Sequence, residues 1–106
     1  MVKHIVLFQL SPEMDAQRKL EVMTEFKARI EALPKEIGFI RKVEVGLNVN
    51  PGESFDIALY SEFDTLDDVK AYSVHPAHVA AAALLKDCTK RSASSYCKPK
   101  PFPRYS

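Results

Sequence analysis

Four side chains stand out as able to move a proton: His4, Tyr72, His75 and His78. Imidazole, with an ordinary pKa of about 6.5, can accept and return a proton near neutral pH. Tyr72, His75 and His78 step by three along the chain, so a continuous helix would hold them on one side. Pro76 interrupts that spacing, because the residue before a proline is pushed out of the helical region. A histidine and a tyrosine brought together in a cleft suit acid–base chemistry on a carbonyl compound. Structural roles compete for the same residues. His75, just before Pro76, can cap a new helix through its ring nitrogen, and His4 can be a packing residue of its strand. For His78 a buried structural contact and a ligand-facing role stand side by side. Tyr72 read as a core aromatic would find a backbone partner for its hydroxyl.

Other chemistries lack their residues. The histidines have no i, i+4 partner or carboxylate spacing of a metal site, so no metal is expected, and Asp64, Asp67 and Asp68 read as charges at a helix start. Three glycines, Gly38, Gly46 and Gly52, make no phosphate-binding loop, and no cofactor is expected. Cys88 and Cys97 would lie about 30 Å apart on one strand, at roughly 3.3 Å per residue, too far for a bridge. No nucleophile elbow appears.

The elements that must position these residues follow from periodicity. Lys3–Leu10 is a short run rich in β-branched and aromatic residues and reads as a strand. Ser11-Pro12 offers an N-cap followed by proline at the first helical position. From Asp15 to Leu33 the spacing of Leu20, Met23, Phe26, Ile30 and Leu33 predicts an amphipathic helix. Glu25–Arg29 and Glu31–Lys35 are at supportive spacing on its other face. Ile37–Asn48 reads as a second strand with Gly46 as a candidate bulge. Asn50–Ser54 is a turn, and Phe55–Phe63 is a third strand hairpinned to the second. Thr65 caps a short helix with Leu66, Val69 and Tyr72 on one face. Pro76 starts another, and Cys88–Tyr96 is the last strand.

The order β-α-β-β-α-(α)-β is the ferredoxin-like α+β plan, with a four-stranded antiparallel sheet and its helices on one face. In the first strand His4, Val6, Phe8 and Leu10 share one face, and Ile5 and Leu7 the other. Phe55, Ile57, Leu59 and Phe63 oppose Ala58 and Tyr60 in the third. With apolar residues on both faces, the sheet calls for a cover over the side the helices leave open. Packing against a second copy of the chain is the simplest cover, which predicts a homodimer.

The chain has 106 residues, 46% hydrophobic and 27% charged, the balance of one ordinary globular domain. Its net charge of +1 provides no basic field for nucleic acid or acidic lipid. The RNA-recognition module shares the element order, but the run Phe55–Phe63 has no glycine, lysine or arginine. Apolar runs are far below the roughly 20 residues of a membrane helix. No signal peptide is evident at the start, so a cytoplasmic location is expected. The tail, residues 98–106, has proline at every second position from Pro99 to Pro103 and should be irregular.

Four segments carry a resemblance: Val2–Phe8, Glu44–Asn48, Phe55–Phe63 and Ala71–Val79. The last holds Tyr72-Ser73-Val74-His75-Pro76-Ala77-His78. They resemble the stress-responsive dimeric α/β-barrel (Dabb) family over about residues 1–97. That family includes plant stress proteins, bacterial proteins of unknown activity and the polyketide-cyclising olivetolic acid cyclase. The resemblance implies that two protomers pack their sheets face to face into a barrel. It also implies a small pocket between sheet and helices of each protomer. There, by similarity to the cyclase, His78 would be the general base and Tyr72 its partner, with His4 on the pocket wall. Ile57, Phe26 and Ile37 fall where the cyclase has His, Tyr and Lys, which makes this pocket more apolar. The expected lining is His4, Val6, Phe26, Leu59 and His75 around the pair His78 and Tyr72. Two functions are then open: a non-catalytic dimer that binds a small molecule, or a lyase or isomerase resembling the cyclase that acts on a small apolar carbonyl compound.

Overall fold

The computed structural model describes residues 1–86 and 88–97. Its elements are β1 (Val2–Leu10), α1 (Ala16–Ala32), β2 (Lys42–Leu47), β3 (Ile57–Phe63), α2 (Leu66–Val74), α3 (Pro76–Ala82) and β4 (Cys88–Cys97). All strand pairs are antiparallel, in the order β2-β3-β1-β4. This is the ferredoxin-like α+β fold.

Pairing of Val6 with Leu59, and of Leu59 with Val45, puts these three on the face that meets the helices. There they join Val22, Phe26 and Ile30 of α1 and Val69 and Tyr72 of α2 in one core. The opposite face carries Ile5, Leu7, Ala58, Tyr60 and Gly46, by the same registers.

Several expectations about the first half of the chain need correction. Helix α1 begins at Ala16, capped by Asp15, whose carboxylate accepts from Arg18 N at 2.8 Å. Ser11 instead closes a turn, its carbonyl taking Met14 N–H. The buried stripe of α1 runs through Val22 where Leu20 was expected; Leu20 is exposed. Glu31 pairs with Lys27 rather than Lys35, and for a reason. Its carboxylate accepts from Val45 N, while Lys27 Nζ donates to Val45 O. Together they occupy backbone groups of the edge strand β2 that would otherwise be free to pair with another chain. The second strand starts only at Lys42, because Leu33–Lys35 forms a 3-10 turn and Ile37 and Ile40 bury themselves from a loop. Gly46 makes no bulge; the β2–β3 register is continuous through it.

The second half follows the expected punctuation. Thr65 caps α2 through Asp68 N at 3.1 Å. His75 takes an extended conformation, ending α2 and capping α3, with Pro76 in the first turn. Cys88 and Cys97 are free thiols at the two ends of β4. The tail, residues 98–106, lies outside the described residues.

Candidate functional site

The break at Pro76 builds the site. In an unbroken helix the Ser73 carbonyl would accept from Ala77 N–H. Here the extended His75 diverts that donor, and Ala77 N–H goes to His75 Nδ1 at 3.1 Å. The Ser73 carbonyl is left for the ring of His78, whose Nδ1 lies 3.2 Å away. A carbonyl can only accept, so His78 Nδ1 carries the hydrogen and Nε2 is the basic nitrogen of the neutral ring.

Tyr72, from the last turn of α2, stacks obliquely on His78, ring centroids 4.3 Å apart, and on Phe63 at 5.0 Å. Its side chain is buried, and its hydroxyl has no hydrogen-bond partner among the described residues. Leaving such a hydroxyl unpaired costs about 1–3 kcal/mol. Tyr72 lines a cavity of about 80 Å³ between sheet and helices, where it converges with His4, Val6, Phe26, Leu59 and His78. Phe8, Ser73, Ala82 and Arg91 complete the lining. Phe8 closes one side through an edge contact with Phe26, centroids 5.5 Å apart.

The electrostatics follow from this enclosure. Burial holds His78 below its ordinary pKa, with Arg91 and His75 adding to the effect and the Ser73 carbonyl opposing it. His4 is lowered by burial first, then by Arg91 and His78. Its Nδ1 lies 2.7 Å from Ser95 Oγ. Burial raises the Tyr72 phenol, which therefore stays protonated and keeps its O–H available to donate. Two neutral histidines and a phenol O–H thus share a small, mostly apolar chamber with one guanidinium on its wall.

The structure brings together six of the seven residues expected at the pocket and leaves out His75. That side chain is spent on the α3 cap and faces a surface groove with Arg29, Leu33 and Glu36. The expectation that Tyr72 finds a backbone partner is also not met. Of the residues missed, Phe8 was available from the alternation of His4, Val6 and Phe8. Ser73 becomes visible only once the helix break is in place. Arg91 was hidden by an irregularity. The β1–β4 register shifts between Gln9 and Leu10, so that Leu10 pairs with Cys88 but Phe8 pairs with Arg91. Simple alternation from Cys88 would have sent Arg91 to the other face.

Among the described residues no group of three or more His, Cys, Asp or Glu side chains is placed to hold a metal ion, and no helix is long and apolar enough to cross a membrane.

Comparison with known proteins places this geometry in context. An uncharacterised protein of Streptomyces coelicolor is 33% identical over 90 residues, covering 82% of this chain and 89% of its own. A crystal structure from Bacteroides fragilis, described as a dimeric protein of unknown function with a ferredoxin-like fold, superposes with a TM-score of 0.88. It is 57% identical, over 90% of this chain and 93% of that one. A hydroxynitrile lyase from Passiflora edulis shares the fold at a TM-score of 0.73 with 18% identity, covering 96% of each chain. The family model for the stress responsive A/B barrel domain matches residues 2–95, and the chain belongs to that family.

Proposed function

We propose that this protein is a homodimer that binds a small carbonyl compound in the chamber beside Tyr72 and His78. The observation that carries the reading is that Tyr72, whose buried hydroxyl has no hydrogen-bond partner among the described residues, lines a cavity of about 80 Å³. A dry cavity of 150 Å³ accepts benzene, so this one suits a head group of about three or four heavy atoms. A carbonyl oxygen satisfies the Tyr72 O–H, and the flanking Val6, Phe26 and Leu59 accept methyl groups. Dimerisation is supported by the apolar residues Ile5, Leu7, Ala58 and Tyr60 on the face away from the helices and by the dimeric Bacteroides fragilis relative.

A second reading, an acid–base enzyme of lyase or isomerase type, is favoured by the His78 tautomer. With Nδ1–H tied to the Ser73 carbonyl, Nε2 is the base. It would take a proton from the carbon next to the carbonyl. The C–H electron pair moves into the carbonyl, and the enolate oxygen that forms is held by the Tyr72 O–H.

Acetone is a sufficient probe. With four heavy atoms it should bind at millimolar concentration and shift the His78, His4 and Tyr72 NMR signals saturably. Absence of any saturable shift overturns the binding reading. In D2O at neutral pH, wild type should speed deuterium entry into the acetone methyl groups and His78→Ala should not. Exchange no faster than in buffer overturns the catalytic reading and leaves the binding reading standing.

A further inference from the structure

Arg91 has no place in the chemistry just described. It lies on β4 opposite Phe8, on the face shared with His4 and Val6, and it lines the chamber with them. Its side chain is otherwise exposed, and among the described residues it enters no ion pair. A guanidinium lining an otherwise neutral, largely apolar pocket is a fixed positive charge with no carboxylate paired to it among the described residues. Its planar fork of donors matches a carboxylate in two parallel hydrogen bonds. The chamber accommodates a head group alone, so the remainder of any larger ligand must extend towards solvent, which Arg91 and Ser73 reach among the lining residues.

We propose that Arg91 makes this pocket selective for carbonyl compounds that carry a carboxylate, the ketone oxygen bound inward at the Tyr72 hydroxyl and the carboxylate outward at the guanidinium. This inference rests on the binding reading above and narrows its ligand class to small keto acids. Three groups then divide the ligand. Tyr72 donates to the carbonyl, His78 faces the carbon between the two functions, and Arg91 fixes the far end. Two-point attachment orients the ligand, which a carbonyl hydrogen bond alone would not do. The bound carboxylate also offsets the field that Arg91 exerts on both rings, so the titration midpoints of His4 and His78 should rise on binding.

Acetoacetate and acetoacetamide, nearly equal in shape and different in charge, test this by NMR titration of the His78 and His4 rings in the full chain. Wild type should bind acetoacetate at least about ten-fold more tightly than the amide, the scale of a charge-assisted hydrogen bond. Arg91→Gln should reduce that ratio to within two-fold by weakening acetoacetate alone, and Arg91→Lys, which keeps the charge and loses the fork, should give an intermediate ratio. In unliganded Arg91→Gln both ring midpoints should move up, a readout independent of any ligand. Equal affinity of wild type for the two probes, or an undiminished ratio in Arg91→Gln, overturns the role of Arg91 and leaves the acetone pocket intact. Failure of acetone as well as both probes to move the rings overturns the pocket and the inference together.

Discussion

Replacing Tyr72 by Phe separates what the ring does from what the hydroxyl does. The ring is packed at 5.0 Å from Phe63 and 4.3 Å from His78, and phenylalanine keeps both contacts. The hydroxyl is buried and has no hydrogen-bond partner among the described residues. An ordinary buried tyrosine whose O–H bonds the backbone loses about 1–3 kcal/mol on this change, because the acceptor is left bare. Here no acceptor is abandoned, and a buried polar group that cost free energy is removed. Tyr72→Phe should therefore be neutral or more stable by up to about 2 kcal/mol. At roughly 4–8 °C per kcal/mol for a domain near this size, the melting temperature should stay level or rise by several degrees. Urea denaturation at one fixed protein concentration measures the change in stability, since self-association would make it depend on concentration. In the same protein acetone binding should weaken by about two- to ten-fold, the worth of one neutral hydrogen bond. A loss of more than about 1 kcal/mol with acetone affinity unchanged would refute the reasoning, because the hydroxyl would then serve the fold.

The remaining predictions concern protonation and assembly. His4 and His78 both titrate below their ordinary 6.5 in the folded protein, so the unfolded chain binds more protons once the pH falls under that value. Stability should be level above about pH 6.5 and decline from there towards pH 5, and the decline should shrink in a His4→Gln, His78→Gln double variant; a flat urea midpoint between pH 7 and 5 in wild type speaks against neutral, desolvated rings. Light scattering should give twice the chain mass, and Leu7→Asp, which buries an unpaired charge between two sheets, should give monomer or unfolded chain; a stable wild-type monomer at micromolar concentration, or a Leu7→Asp dimer of wild-type stability, removes the sheet-to-sheet assembly.

What could be read from residue order and what could not divide along a physical line. Features set by local rules were legible: the Thr65 cap, the break at Pro76, and the alternation that puts His4 and Val6 on one face. Features set by long-range competition were not. Asp15 displaced Ser11 as the cap of α1 because the chain between them turns back on itself, with Met14 N–H on the Ser11 carbonyl. Glu31 abandoned the helix-spaced Lys35 because the edge of β2 offered it an N–H at Val45. Arg91 entered the chamber through a register shift between two strands about 80 residues apart, for which nothing near Arg91 gives a sign.

The two histidines of the His75-Pro76-Ala77-His78 segment illustrate how close the structural and chemical roles lie. Both use Nδ1 toward the backbone, but with opposite sense. His75 Nδ1 accepts from the Ala77 N–H, and His78 Nδ1 donates to the Ser73 carbonyl. The two bonds depend on each other. Had Ala77 N–H stayed with Ser73, as in a continuous helix, His78 would have lost its acceptor and His75 its donor. Proline at position 76 lacks an N–H and disfavours the helical conformation at His75, so the exchange is built into the backbone. A residue that caps a helix thereby sets the tautomer of a ring three positions on, and with it which nitrogen remains basic. His75 is thus absent from the chamber lining yet fixes the chemistry available to His78 there.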